Sequence, residues 1–90
     1  MAHAISLRNL SANLAALGAG EVQWTNKSHH AANYRGRKLY FTADHGGDNV
    51  RPCYVSELAR QMLRIEGLTP TDPGYAPRLD FLKRELREGL

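Results

Sequence analysis

Ninety residues, 42% apolar and 23% charged, make one small domain that buries only about 60–65% of its unfolded surface, which leaves room for a modest core. No run of about 18 apolar residues is present and the N-terminus lacks the basic and apolar regions of a signal peptide, so a membrane span and secretion are not expected. Net charge is +3 with a pI near 9.4. The single cysteine, Cys53, cannot form an internal disulfide, which fits a reducing cytoplasm.

In chain order, residues 5–17 read as an amphipathic helix. Leu7, Leu10, Leu14 and Leu17 recur at three- and four-residue steps and stack on one face. Ser6 is placed to cap this helix, and Gly18 and Gly20 to stop it. Glu21 to Asn26 alternates polar and apolar residues, with Val22 and Trp24 on one side, as a half-buried strand does. Ala31 to Tyr34 and Lys38 to Ala43 form a second alternating pair around Arg35-Gly36-Arg37, where Gly36 takes positive φ at little cost. Leu39 and Phe41 share one face of the later strand, and Tyr40 and Thr42 the other.

Asp44 to Asn49 is a loop by composition. Helical spacing returns at Val55, Leu58, Ala59, Met62 and Ile65, with Pro52 ahead of it and Gly67 at its end. Thr69 to Gly74 reads as a linker. Pro77 to Glu88 is a last helix with Leu79, Leu82 and Leu86 on one stripe and Phe81 beside it; that stripe suits docking on the domain or on another chain. The expected architecture is α+β: an αβββα sandwich with a three-stranded antiparallel sheet, helices on one face, and an added C-terminal helix. Such a fold is compatible with the double-stranded-RNA-binding class.

Charge distribution is more informative than net charge. From Gln23 through Ala43 there is no Asp or Glu, whereas Lys27, Arg35, Arg37 and Lys38 all fall there. A patch of one sign concentrates polyanions and binds them in a salt-sensitive way. The competing reading is a solvated hairpin whose cations discourage edge pairing. Within the patch, Ser28-His29-His30 offers a proton acceptor suited to working pH. Successive strand residues point to opposite faces, so the two histidines are not expected to act as a pair; one of them suits a structural role, and His30 reads as a partly buried or surface residue.

Other ligand types give no recognisable spacing. His29, His30, Asp44, His45, Asp48 and Cys53 match no zinc motif, so no metal is expected. Gly46-Gly47 lacks the Lys-Ser/Thr of a phosphate loop, and His45 reads as an exposed turn residue. Among aromatics available to stack on bases, Trp24 and Phe41 suit a core-facing register, which leaves Tyr34 and Tyr40 as the exposed pair.

These residues carry a family resemblance. The leucine helix Leu10 to Leu17, a short strand, Ser28-His29-His30, two more strands, a His-Gly loop and a helix ending Gly67-Leu68 resemble the HicA mRNA-interferase toxins. The resemblance spans roughly Leu7 to Leu68, giving a HicA-like domain at residues 1–68 and an extension at residues 69–90. It implies a ribonuclease of a toxin–antitoxin pair that cleaves mRNA with His29 as general base, without cofactor or metal. RNA contacts are then expected from Lys27, Ser28, Arg35, Arg37 and Lys38, and an antitoxin protein is the implied partner. Lys27 stands where the family has glycine, Tyr54-Val55-Ser56 replaces its Pro-x-Gly, and residues 69–90 are additional. The alternative is a non-catalytic nucleic-acid- or protein-binding inhibitor on the same fold, of phage or mobile-element type.

Overall fold

The computed structural model describes residues 3–26, 29–44 and 49–89. Eight elements follow in order: β1 (Ile5–Ser6), α1 (Leu7–Ala16), β2 (Gln23–Asn26), β3 (His29–Tyr34), β4 (Arg37–Thr42), β5 (Asn49–Val50), α2 (Pro52–Glu66) and α3 (Tyr75–Glu88). The fold is α+β, with an antiparallel sheet ordered β2-β3-β4 and two helices packed together after it. Among the described residues no helix is long and apolar enough to cross a membrane.

Helix α1 starts where the Ser6 hydroxyl accepts a hydrogen bond from the Asn9 amide at 3.1 Å. Such a cap stabilises a helix by about 1 kcal/mol. The helix is shorter than the leucine spacing predicts because Ile5 and Ser6 are extended and pair with Val50 and Asn49 of β5. Leu10 and Leu14 are fully buried and Leu7 and Leu17 partly so.

Register organises the sheet. His30 faces Phe41, Ala32 faces Leu39 and Tyr34 faces Arg37 across β3–β4; the alternate pairs are His29 with Thr42, Ala31 with Tyr40 and Asn33 with Lys38. Directly opposed residues project to the same side. The first set is buried apart from Arg37, and the second set is exposed apart from the small Ala31 and half-buried Thr42. One face therefore meets the helices and the other is open. A two-residue turn joins the strands, with φ of 50° at Arg35 and 79° at Gly36, the left-handed pair that a tight hairpin with right-handed twist requires.

Two aromatic expectations are corrected here. Tyr34 is buried, not exposed, because the alternation that buries His30 and Ala32 carries it to the helix side. Trp24 is exposed at 67% rather than core-facing. Its register is opposite His30, hence on the helix side, but α2 lies over β4 and β2 is an edge strand. All four β2 residues are exposed, so this strand is not half-buried.

Helix α2 buries Val55, Leu58, Ala59, Met62 and Leu63. It ends on Gly67 at φ 85° with the Gly67 amide bonded to the Arg64 carbonyl and the Leu68 amide to the Leu63 carbonyl, a Schellman cap. Gln61 reaches the outer edge of β4: its Oε1 accepts from the Tyr40 amide at 2.9 Å and its Nε2 donates to the Tyr40 carbonyl at 2.6 Å. One side chain thus supplies the pairing that a neighbouring strand would give. Helix α3 docks on its own chain, with Leu82 and Leu86 fully buried in the common core and the Asn13 amide donating to the Leu86 carbonyl at 2.8 Å.

Candidate nucleic-acid interface

His29 opens β3 on the open face of the sheet and is exposed. Its carbonyl accepts from the Thr25 hydroxyl at 3.1 Å, which ties the strand start to β2. His30 is 5% exposed and stacks on Phe41 with ring centroids 5.5 Å apart and 16° between planes. The separation follows from strand geometry alone: one histidine is reachable and its neighbour belongs to the core. Lys27, Ser28, His45, Gly46, Gly47 and Asp48 lie outside the described residues.

Arg35, Arg37 and Lys38 are exposed but do not rim His29. Lys38 is four positions further along the hairpin, about 14 Å at strand rise, and the turn holding Arg35 is about 20 Å away. Arg37, opposite Tyr34, projects to the other side of the sheet. At these separations exposed charges are largely screened, the Debye length being about 10 Å at 0.1 M salt. These three cations therefore do not surround the imidazole: the hairpin that carries them runs away from it. The Arg35 guanidinium packs over the Tyr34 ring at 5.3 Å.

Between the two ends the open face carries Tyr40, 57% exposed, flanked on β4 by Thr42 and Lys38. A shallow depression of about 150 Å³ lies beside it, lined by Glu21, Gln23, Thr25, Ala31, Asn33 and Lys38. Polar side chains, one exposed aromatic ring, a histidine at one end and a lysine at the other can stack a base and bond a backbone. Trp24 is a second exposed aromatic at the β2 edge, but it projects to the helix side of the sheet and not onto this face. The apolar alternation that marks Trp24 as a strand residue carries no sign that the helix layer ends before it.

A network that spacing did not reveal sits at the hairpin's turn end. The Tyr34 hydroxyl donates to Glu66 Oε2 at 2.7 Å, while Arg78 binds the same carboxylate through Nε at 2.9 Å and Nη2 at 3.0 Å. Burial would raise the Glu66 pKa, but hydrogen bonds from Arg78 and Tyr34, with the Arg78 charge, outweigh it and hold the group below its usual value. Burial and the adjacent Glu66 push the Tyr34 hydroxyl up, and the bond to Glu66 raises Arg78. Arg78 also lies over Phe81 at 5.2 Å. This network joins β3, α2 and α3. Among the described residues no cluster of three or more His, Cys, Asp or Glu could hold a metal ion.

Comparison with protein-family models, with curated proteins and with solved structures finds no match to this chain.

Proposed function

We propose that this protein is a metal-independent ribonuclease acting on mRNA, a HicA-like toxin neutralised by a partner antitoxin that covers His29. The observation that supports it most is the exposure of His29 at the start of β3 while His30 is buried against Phe41. A general base must be reachable by the hydroxyl it deprotonates. In the proposed reaction His29 takes the 2′-hydroxyl proton, the 2′ oxygen attacks phosphorus, and the P–O5′ bond breaks to leave a 2′,3′-cyclic phosphate. The 5′ oxygen is protonated from water in this one-base scheme. Lys27 and Ser28, adjacent in sequence, are the proposed contacts to the reacting phosphate; Lys38 and Tyr40 hold the strand further along the open face.

Inducible expression in a bacterial host tests the reading. Wild-type protein is expected to arrest growth and deplete mRNA, and His29→Ala to do neither. Equal tolerance of both chains would dismiss it.

A second reading draws on a specific observation: Arg35, Arg37 and Lys38 sit at the far end of the hairpin from His29. Cations placed away from the imidazole suit a grip on nucleic acid better than charge stabilisation at a cut. Under that reading the chain is a non-catalytic binder or inhibitor, RNA affinity falls steeply with salt, and His29→Ala leaves it unchanged.

A further inference from the structure

We infer that the groove between the N-terminal half of α2 and the C-terminal half of α3 is a second contact site for RNA, holding its phosphate backbone away from the cut. The inference rests on the reading of the chain as RNA-acting. The groove encloses about 440 Å³ and is lined by Ser56, Lys83, Arg84, Arg87 and Glu88. Three cations and a hydroxyl face one carboxylate there, so the groove carries net positive charge. Among the described residues no ion pair engages Lys83 or Arg87. Arg84 is held over the Phe81 ring at 6.0 Å with its Nε 3.9 Å from Glu85, and Arg87 donates to the His3 carbonyl at 3.4 Å. Guanidinium groups fixed by such contacts keep donors free for phosphate oxygens, which arginine binds as a planar fork.

Chain direction places this groove. Glu66 of α2 bonds Tyr34, which pairs with Arg37 at the start of β4, and Gln61 bonds Tyr40 further along it. Helix α2 therefore runs against β4, and Ser56, five residues before Gln61, lies toward the Thr42 end. Thr42 pairs with His29. Helix α3 runs against α2 in turn, with Arg78 at Glu66 and Arg84 and Arg87 beside Ser56. The C-terminal cations thus occupy the His29 end of the molecule, the end that Arg35, Arg37 and Lys38 leave. They belong to the segment added beyond residue 68, which gives that segment a role in holding RNA.

Fluorescence polarisation with a labelled single-stranded 2′-O-methyl RNA, which has no free 2′-hydroxyl to attack, measures binding without cleavage. Relative to wild type, Lys83→Gln/Arg84→Gln/Arg87→Gln is expected to bind roughly tenfold more weakly at 0.1 M salt. Its log–log salt slope should shrink by about 2, since each of the three lost single-strand phosphate contacts contributes about 0.7. The charge-preserving Lys83→Arg/Arg84→Lys/Arg87→Lys should retain the wild-type slope, which separates charge from folding. In wild-type protein, RNA should also shift the Ser56 and Lys83 amide resonances. Unchanged affinity and slope in the glutamine variant would overturn the proposal. So would groove resonances that respond to inorganic phosphate or polyglutamate but not to the RNA. Cleavage of ordinary RNA, compared between wild type and His29→Ala, reports separately on the nuclease reading.

Discussion

His29 and His30 differ by one position and therefore by one face of the sheet, and their substitutions should part accordingly. His29→Ala removes an exposed side chain, so its stability should stay within about 0.5 kcal/mol of wild type in urea unfolding. His30→Ala opens space beneath Phe41 and should cost about 2 kcal/mol. Strand alternation in the sequence is enough to separate the pair, and the neighbouring alanines and Phe41 decide which histidine goes inward. The same alternation carries Tyr34 inward. What was not legible is the partner of its hydroxyl, Glu66, 32 residues away, because nothing local marks a tyrosine as the partner of a distant carboxylate. Arg78→Ala should cost about 2–3 kcal/mol by leaving the Glu66 carboxylate, 6% exposed, without its guanidinium. Because the folded-state pKa of Glu66 is depressed, its contribution is complete above the ordinary value of 4.5 and is lost as pH falls through the lower folded value. Urea unfolding from pH 7 down to pH 3 should show that loss in wild type and a shallower one in Arg78→Ala.

Among the elements, α1, α2 and the β3–β4 hairpin were legible because each carries its own punctuation. Ser6 caps α1, Gly67 closes α2, and Arg35-Gly36 turns the hairpin with both residues at positive φ. Gly36→Ala, strained at φ 79° with no neighbour to blame, should destabilise by about 1 kcal/mol in thermal or urea unfolding. What the pattern of β2 could not convey is coverage. Val22, just before the strand, packs partly against the core, but the helices lie over β4 and leave Trp24 exposed. The two edges of the sheet are accordingly unlike. Gln61 occupies the main chain of β4 at Tyr40, and Gln61→Ala should lower stability by about 1–2 kcal/mol and raise self-association, measured by sedimentation, as those groups seek another strand. The last helix was legible as an amphipathic stripe, but the sequence left its partner open; Asn13 and the shared leucine core answer that it is this chain.

For the whole molecule, the distribution of charge proved only half readable. The acid-free run from Gln23 to Ala43 is one stretch of sequence, and folding into a hairpin sends the turn and the strand ends to opposite poles. His29 is at one pole with the groove of Lys83, Arg84 and Arg87, and Arg35, Arg37 and Lys38 are at the other. Tyr40 lies between them on a face that, among the described residues, no helix covers. A single strand laid along that face would meet the imidazole, an aromatic platform and a cation in sequence, which is the physical basis of the proposed activity. The most direct test incubates purified wild type and His29→Ala with end-labelled RNA and with the same oligonucleotide made of 2′-deoxynucleotides. The account predicts that wild type cuts only the RNA, leaving 2′,3′-cyclic phosphate ends, and that His29→Ala loses at least a hundredfold in rate. Cutting of the deoxy strand, or an undiminished rate in His29→Ala, would contradict it.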